Sequence, residues 1–341
     1  MSDNQLSKHT IGGRNLVKPS VYGGVVIILA VLPLFMKSPY WIHVFILTFI
    51  YIVVTVSFRA IAISGQFHLA HAAFMGVGAY LAGMASKWFG WPPWLTIPLA
   101  ALATAGIGML IGYPFARLRA LYFALGSLFF GLTIVNIIIA AKDWTGGWPG
   151  LTGIEPLISS HSKIHYYYFF LVLTSFCLAA LYRFEFSRIG INLKAIAQSY
   201  MVASSVGINE AFYRILALGV GCFFAGLAGA TYAHYYLLLS WTSFNLAATL
   251  WIVMYLIIGG KDHFAGPIIG TAILIMVPEF ARELKEYVPF ISAAMLLIVI
   301  FIMPKGLAGL PQLIKSRFLE RREEPRPQVR ASSMLSERKP E

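Results

Sequence analysis

Charge is what this sequence has least of. Its 341 residues include 14 Asp and Glu, and charged residues of both signs make up 12%, against roughly one-quarter in an ordinary soluble domain. Beside 58% hydrophobic residues and a mean hydropathy of +0.74, this excludes a soluble globular protein and leaves an integral membrane protein. Cysteine is nearly absent too. Cys177 and Cys222 both fall inside apolar runs, which argues against a disulfide framework and for two small core hydrophobes. No G-x-x-x-x-G-K-[ST] loop occurs. The nearest stretch, "GGKD" at Gly259 to Asp262, lacks an upstream glycine at the required spacing and a hydroxyl after Lys261, so the chain cannot cradle and hydrolyse ATP itself. Carboxylates are missing from the middle of the apolar runs: only Glu279, near a run's end, falls inside one, while Asp143, Glu155, Asp262 and Glu283 fall in loops. An ion-coupled carrier keeps ionisable groups deep in its spans despite a cost of ~2.5 to 3.5 kcal/mol each, so that class lacks its chemistry here.

What is present is a series of apolar runs of membrane-spanning length, near 21–36, 40–58, 68–86, 93–115, 120–141, 164–182, 213–235, 245–259, 264–280 and 288–303. They predict an all-α, polytopic helical bundle of about ten transmembrane helices, some short or broken, in one domain over 21–310. Residues 1–20 are polar, with Lys8, Arg14 and Lys18, and the run from Tyr22 to Met36 ends in "KSP" without a small-residue cleavage site, so it reads as an uncleaved first span. With both termini in the cytoplasm, every Lys and Arg except Lys37, Lys87, Lys142, Lys163, Arg282 and Lys285 falls on the cytoplasmic side, as the positive-inside rule requires. The net charge of +12 then faces anionic lipid headgroups of the bilayer, and no nucleic acid is needed to explain it. The segment 311–341, with Pro and both charge signs mixed, reads as a solvated, disordered cytoplasmic tail.

One polar stretch interrupts the series: "INLKAIAQSYMVASSVGINEAFYR", Ile191 to Arg214. Leu193, Ile196, Ala197, Tyr200 and Met201 recur at helical spacing, and Gly207 is placed to stop the helix. The pattern predicts a short amphipathic helix over about 193–206, outside the membrane and tethered at both ends to spans. It either rests on the lipid surface or docks another protein; its wealth of Ala, Ser and Gly favours close protein approach.

The stretch "AIAQSYMVASSVGIN" resembles the cytoplasmic coupling loop of ABC-importer permeases, and more narrowly the permease family of branched-chain amino acid importers, whose relatives carry urea, short amides and aromatic acids. "SGQFHLAHAAFMGVGAY", "RLRALYFALGSLFFG", "TGGWPGLTGI", "FFAGLAGATYAHY", "IIGGKDHFAGPIIG" and "PKGLAGL" resemble further signatures of that family in the same order, over about two-thirds of the chain. The resemblance implies a multi-pass plasma (inner) membrane protein that is not an enzyme and binds no cofactor. It implies three kinds of protein partner: a homologous second permease subunit, two ATPase subunits that carry the ATP and Mg, and an extracytoplasmic solute-binding protein. Coupling to the ATPases would fall on Gln198, Ser199, Tyr200, Met201, Ala203, Ser204, Ser205 and Gly207. The family's loop carries acidic residues where this chain has Gln198, Tyr200 and Ser204, so no salt bridge to an ATPase is expected there.

Other segments carry weaker chemistry. His68 and His71, at i and i+3 of an expected helix, share a face with Gln66 nearby; they serve as polar contacts between spans or line a path. "HLAH" lacks the Glu of the zinc signature, and His68 stands where the family more often has a small hydroxyl residue. Gly76, Gly78, Ala79 and Gly83 form a small-residue face, as do Gly219, Gly226 and Ala230, suited to close helix packing or to a breakable pore-lining helix. The loop from Lys142 to Lys163 reads as turns with Trp144 and Trp148 as interface anchors, or as a docking surface for the binding protein made by Trp144, Gly146, Gly147, Trp148, Gly150 and Gly153. The leading expectation is an importer permease working by alternating access on branched-chain or other small amino acids. A urea, amide or aromatic-acid importer permease, or an ion-coupled secondary carrier, is the alternative.

Overall fold

The structure, a computed structural model, describes residues 19–35, 38–116, 118, 120–158, 162–280 and 293; the tail 311–341 and nearly all of the expected span 288–303 and of 1–20 lie outside them. Proline at the first helical turn starts α2 (Pro39–Ala62) and α4 (Pro93–Phe115), where its missing N–H costs nothing. Between them α3 (His71–Phe89) stops at Gly90 in the left-handed region. Helices α1 (Pro19–Phe35), α5 (Ala120–Ala140), α6 (Lys142–Thr145), α7 (Lys163–Glu185), α8 (Arg188–Gln198), α9 (Tyr200–Ser205), α10 (Glu210–Tyr236), α11 (Leu246–Gly259) and α12 (Ala265–Phe280) complete the described set. A two-residue ladder, absent from the all-helical expectation, pairs β1 (Leu151–Thr152) antiparallel with β2 (Leu238–Leu239).

Five helices are long and apolar enough to cross a bilayer: α2, α4, α5 from Leu121, α7 and α10. Adding α3 and the shorter α1, α11 and α12 accounts for nine of the ten expected runs; the tenth, 288–303, lies almost wholly outside the described residues. The 14 residues of α11 reach about 21 Å at 1.5 Å per residue, against a hydrocarbon core of ~30 Å. A band of outward apolar side chains, including Leu34, Leu110, Phe129, Val172 and Phe176, supplies the lipid-facing surface.

The 27-residue α10 is the central strut, packed on α4, α3 and α2. The two small-residue faces meet here at Gly78, whereas Gly83 packs on Leu151, Ile154 and Leu239 and Gly219 on Met109 of α4. A Cβ built on Gly78 of α3 would strike the Gly226 carbonyl of α10, a backbone atom that cannot swing aside, and Gly226 in turn lies against Thr104 of α4. In lipid this close packing drives helix association. Gly78→Val is therefore expected to abolish the monodisperse protein in detergent, whereas Gly106→Ala, on open space, leaves its elution profile unchanged; size-exclusion chromatography of the two variants checks this.

Peripheral α1 is held by a side-chain repair. Pro33 lies inside the helix and supplies no N–H to the carbonyl of Leu29 one turn earlier. The Tyr167 hydroxyl of α7 donates to that carbonyl at 2.6 Å, and Tyr168 donates to Ala30 O at 3.2 Å. The acceptor that Pro33 frees, Leu29 O, needs such a partner inside a bilayer.

Candidate functional site: a coupling surface and the buried ion pair beneath it

The single helix expected over 193–206 is two helices. Ser199 takes extended backbone, φ −161° and ψ 108°, and its side chain accepts from Val202 N at 3.4 Å. Serine competes for backbone donors and caps rather than continues, so α8 ends at Gln198 and α9 begins at Tyr200, while α8 starts earlier than expected, at Arg188. The break also re-aims the stripe. Leu193 and Ile196 are buried as expected, but Ala197 and Met201 turn outward. Ala203, expected on the docking face, is buried.

The outward face of this segment is apolar. Met201, Val202 and Val206 are 62%, 64% and 71% exposed, beside exposed Gln198, Ser204, Ser205 and Gly207. Ser199 and Tyr200 are half-buried at the break. Gly207 has φ +83° and open space around it, ending α9 through the Ile208 N to Ala203 O bond at 3.1 Å. Val202 and Val206 were missed by sequence reasoning; four-residue spacing of two valines beside Met201 was the available signal.

Beneath this surface lies a feature the sequence reading placed in loops. Helix α7 runs on past the expected 182 to Glu185, and Glu185, 4% exposed, forms an ion pair with Arg59 of α2. It also accepts from Lys194 Nζ of α8 at 2.9 Å. Arg59 Nε donates to Lys261 O at 3.1 Å, on the turn after α11. Gly190 lets α8 approach: a Cβ there would strike the Glu185 carbonyl. Lys194 is only half-covered; burial first, then the positive Arg59, holds its ammonium below the usual lysine range. Glu185 thus corrects the reading that Glu279 alone lies inside a span. Held between two cations, it is a structural counter-ion, in contrast to the open carboxylate an ion-coupled carrier uses.

His68 and His71 do not share a helix face. His68 lies in the loop before α3 and His71 is the helix's first residue. Both rings are fully buried, with centroids 5.8 Å apart. His71 Nε2 lies 3.1 Å from Val54 O and 3.0 Å from Ser57 Oγ; the carbonyl can only accept, so Nε2 carries the proton. Gln66 Nε2 donates to Leu118 O at 3.5 Å. Among the described residues no group of three or more His, Cys, Asp and Glu could hold a metal ion. Gly76 packs on Phe244, whose Cβ would lie 2.8 Å from an added methyl. His71 ties the start of α3 to α2, Gln66 ties the loop 63–70 to the segment before α5, and Gln66, His68, His71 and Gly76 are all buried.

At the opposite end of the bundle, Gly146, Gly147, Gly150 and Gly153 all have positive φ. At Gly150 the requirement is double, since a side chain would also strike the Leu239 carbonyl where β1 meets β2. The ladder fixes this loop against the segment after α10. Trp144 and Trp148 remain 56% and 67% exposed; Trp148 sits edge-on to Trp241 with centroids 5.0 Å apart, and Trp88 Nε1 donates to Trp144 O at 3.1 Å.

Known proteins resemble this chain. It is 25% identical to the high-affinity branched-chain amino acid transport system permease protein LivM of Salmonella typhimurium, over 90% of this chain and 81% of that protein, and likewise 25% identical to LivM of Escherichia coli, over 89% and 81%. The permease protein LivH of the same transport system in Salmonella typhimurium is 25% identical over 58% of this chain and 66% of its own length. No solved structure matches significantly. The family described as branched-chain amino acid transport system, permease component, matches residues 40–304, well over half of the chain, and the protein belongs to that family of multi-pass membrane permeases.

Proposed function

We propose that this permease is one of two homologous membrane subunits of an ABC importer for branched-chain amino acids in the inner membrane. Two ATPase subunits bind ATP and Mg and dock on the outward face of residues 198–207, and a soluble binding protein delivers solute to the opposite end, at the Trp144–Gly153 loop. The observation that carries this reading is the apolar trio Met201, Val202 and Val206, held out at the one segment that interrupts the bundle. Similarity to both LivM and LivH supports a heterodimeric pore, with the LivM-like role here because that likeness covers more of the chain. Both termini, including 1–20 and 311–341, lie on the ATPase side in this reading.

The mechanism follows from the ion pair. An ATPase that closes on α9 moves α8, and α8 is joined through Lys194 and Glu185 to α7 and through Arg59 to α2. A second bond, Thr271 Oγ1 to Thr55 Oγ1 at 3.0 Å, links α2 to α12. Displacement at the docking face therefore biases helices across the bundle. A shift between inward- and outward-facing states needs differential interaction with the two, which nucleotide-dependent ATPase closure supplies.

Purification of the tagged protein from its native membrane in a mild detergent tests the assembly. A complex containing a second permease and an ATP-hydrolysing subunit is expected. Recovery of this chain alone, with ATPase activity absent under every mild extraction condition, would contradict it.

A further inference from the structure

The residues first suspected of lining a path are packed away, yet the structure holds an open-sided cavity of about 430 Å³ elsewhere, within the ~300–1,000 Å³ range of small-molecule sites. It lies along α11 and is walled by Tyr51 of α2, by Ser243 and Asn245 just before α11, by Trp251 and Tyr255 of α11, and by Leu274 of α12. Helix α11 is too short to cross the membrane and is entered through a 3₁₀ turn, Trp241–Phe244. Discontinuous helices are where transporters place solute near the midplane, because irregular backbone is tolerated only against protein or a cavity.

The polar groups here are unspent. Asn245 Oδ1 accepts from Ala248 N at 3.1 Å, which fixes the amide's orientation and leaves its Nδ2 donors without a hydrogen-bond partner among the described residues. The hydroxyls of Tyr51 and Tyr255, rings 6.2 Å apart, likewise make no hydrogen bond among the described residues. Among the described residues Ser243 Oγ is approached by the Tyr232 hydroxyl, which donates at 3.5 Å. Trp251 and Leu274 supply apolar wall on the same cavity. Among the described residues no Asp, Glu, Lys, Arg or His lines it.

We infer that this cavity is the solute chamber of the permease, and that it takes a small aliphatic amino acid, its backbone groups on Tyr51, Asn245, Ser243 and Tyr255 and its side chain on Trp251 and Leu274. A solute with a charged side chain would be desolvated there without a counter-charge and is disfavoured. The inference rests on the importer reading above and adds the residues that contact the cargo.

Cysteine labelling tests it, because both native cysteines are fully buried. The complete importer carrying Ser243→Cys, in proteoliposomes with its binding protein and ATP, is treated with an impermeant methanethiosulfonate. Labelling is expected to stop leucine uptake, and leucine present during turnover is expected to slow labelling several-fold while lysine does not. In parallel, Trp251→Ala is expected to raise phenylalanine uptake relative to leucine several-fold. Labelling that leucine leaves unaltered, uptake that survives labelling, or an unchanged phenylalanine-to-leucine ratio in Trp251→Ala, in importers whose unsubstituted form transports, would overturn the chamber alone. An unsubstituted importer that moves no leucine with ATP present would overturn the importer reading with it.

Discussion

Glu185→Ala is expected to be among the most damaging single substitutions in the described chain. Arg59 has 3% of its side chain exposed and its ion-pair partner is Glu185, with Asp262 a further negative charge acting on it. Removing one partner of a buried pair strands the other and costs ~3 to 5 kcal/mol, a large part of the ~5 to 15 kcal/mol by which folded proteins are stable. The substitution also detaches Lys194, and with it the anchor of α8. A sharp fall in the thermal midpoint of the detergent-purified protein is expected, with Glu185→Gln intermediate. The double substitution Arg59→Met with Glu185→Leu is expected to recover most of the midpoint, since apolar replacement of a buried pair is often neutral, but not ATP-driven uptake, because α8 no longer has a charged tie to α7 and α2. Scanning fluorimetry and uptake assays on the three variants separate the two roles. Full uptake in the double variant would show that the network stabilises without transmitting.

Met201→Asp combined with Val206→Asp is expected to do the reverse. Both side chains are mostly in solvent, and surface changes of this kind usually alter stability by no more than ~0.5 kcal/mol. The thermal midpoint should stay where it is. Two carboxylates placed at the centre of an apolar docking face must be desolvated when the ATPase binds, so ATP-driven uptake is expected to fall about tenfold or more, the equivalent of ~1.4 kcal/mol or more of lost docking energy. Co-purification of the ATPase checks the cause: it should weaken in parallel. Undiminished uptake would remove this surface from the docking site.

The helical membrane class was legible because apolar runs of spanning length are a local property of the chain. So were the small-residue faces of α3 and α10, which need only glycine at helical spacing. The break at Ser199 was not, because the stripe through Leu193 and Ile196 continues in register to Tyr200 and Met201, and only the cap geometry shows that serine's side chain competes with the helix. Arg59 and Glu185 sit just beyond the apolar runs and so read as loop charges; their burial comes from α8 folding over them, a long-range event that periodicity does not encode. The cavity was equally hidden. Asn245 and Ser243 look like ordinary turn residues, and Tyr51 and Tyr255 like core aromatics, until α2, α11 and α12 are brought side by side.

Uptake of radiolabelled leucine into vesicles tests the central claim most directly. The claim is that this chain supplies a passage and a docking face but no energy. Vesicles holding the two permease subunits, with the binding protein present, are compared with and without the ATPase subunits at equal ion gradients. Accumulation is predicted only with the ATPases and ATP. Accumulation by the permeases alone, driven by a proton or sodium gradient, would contradict it.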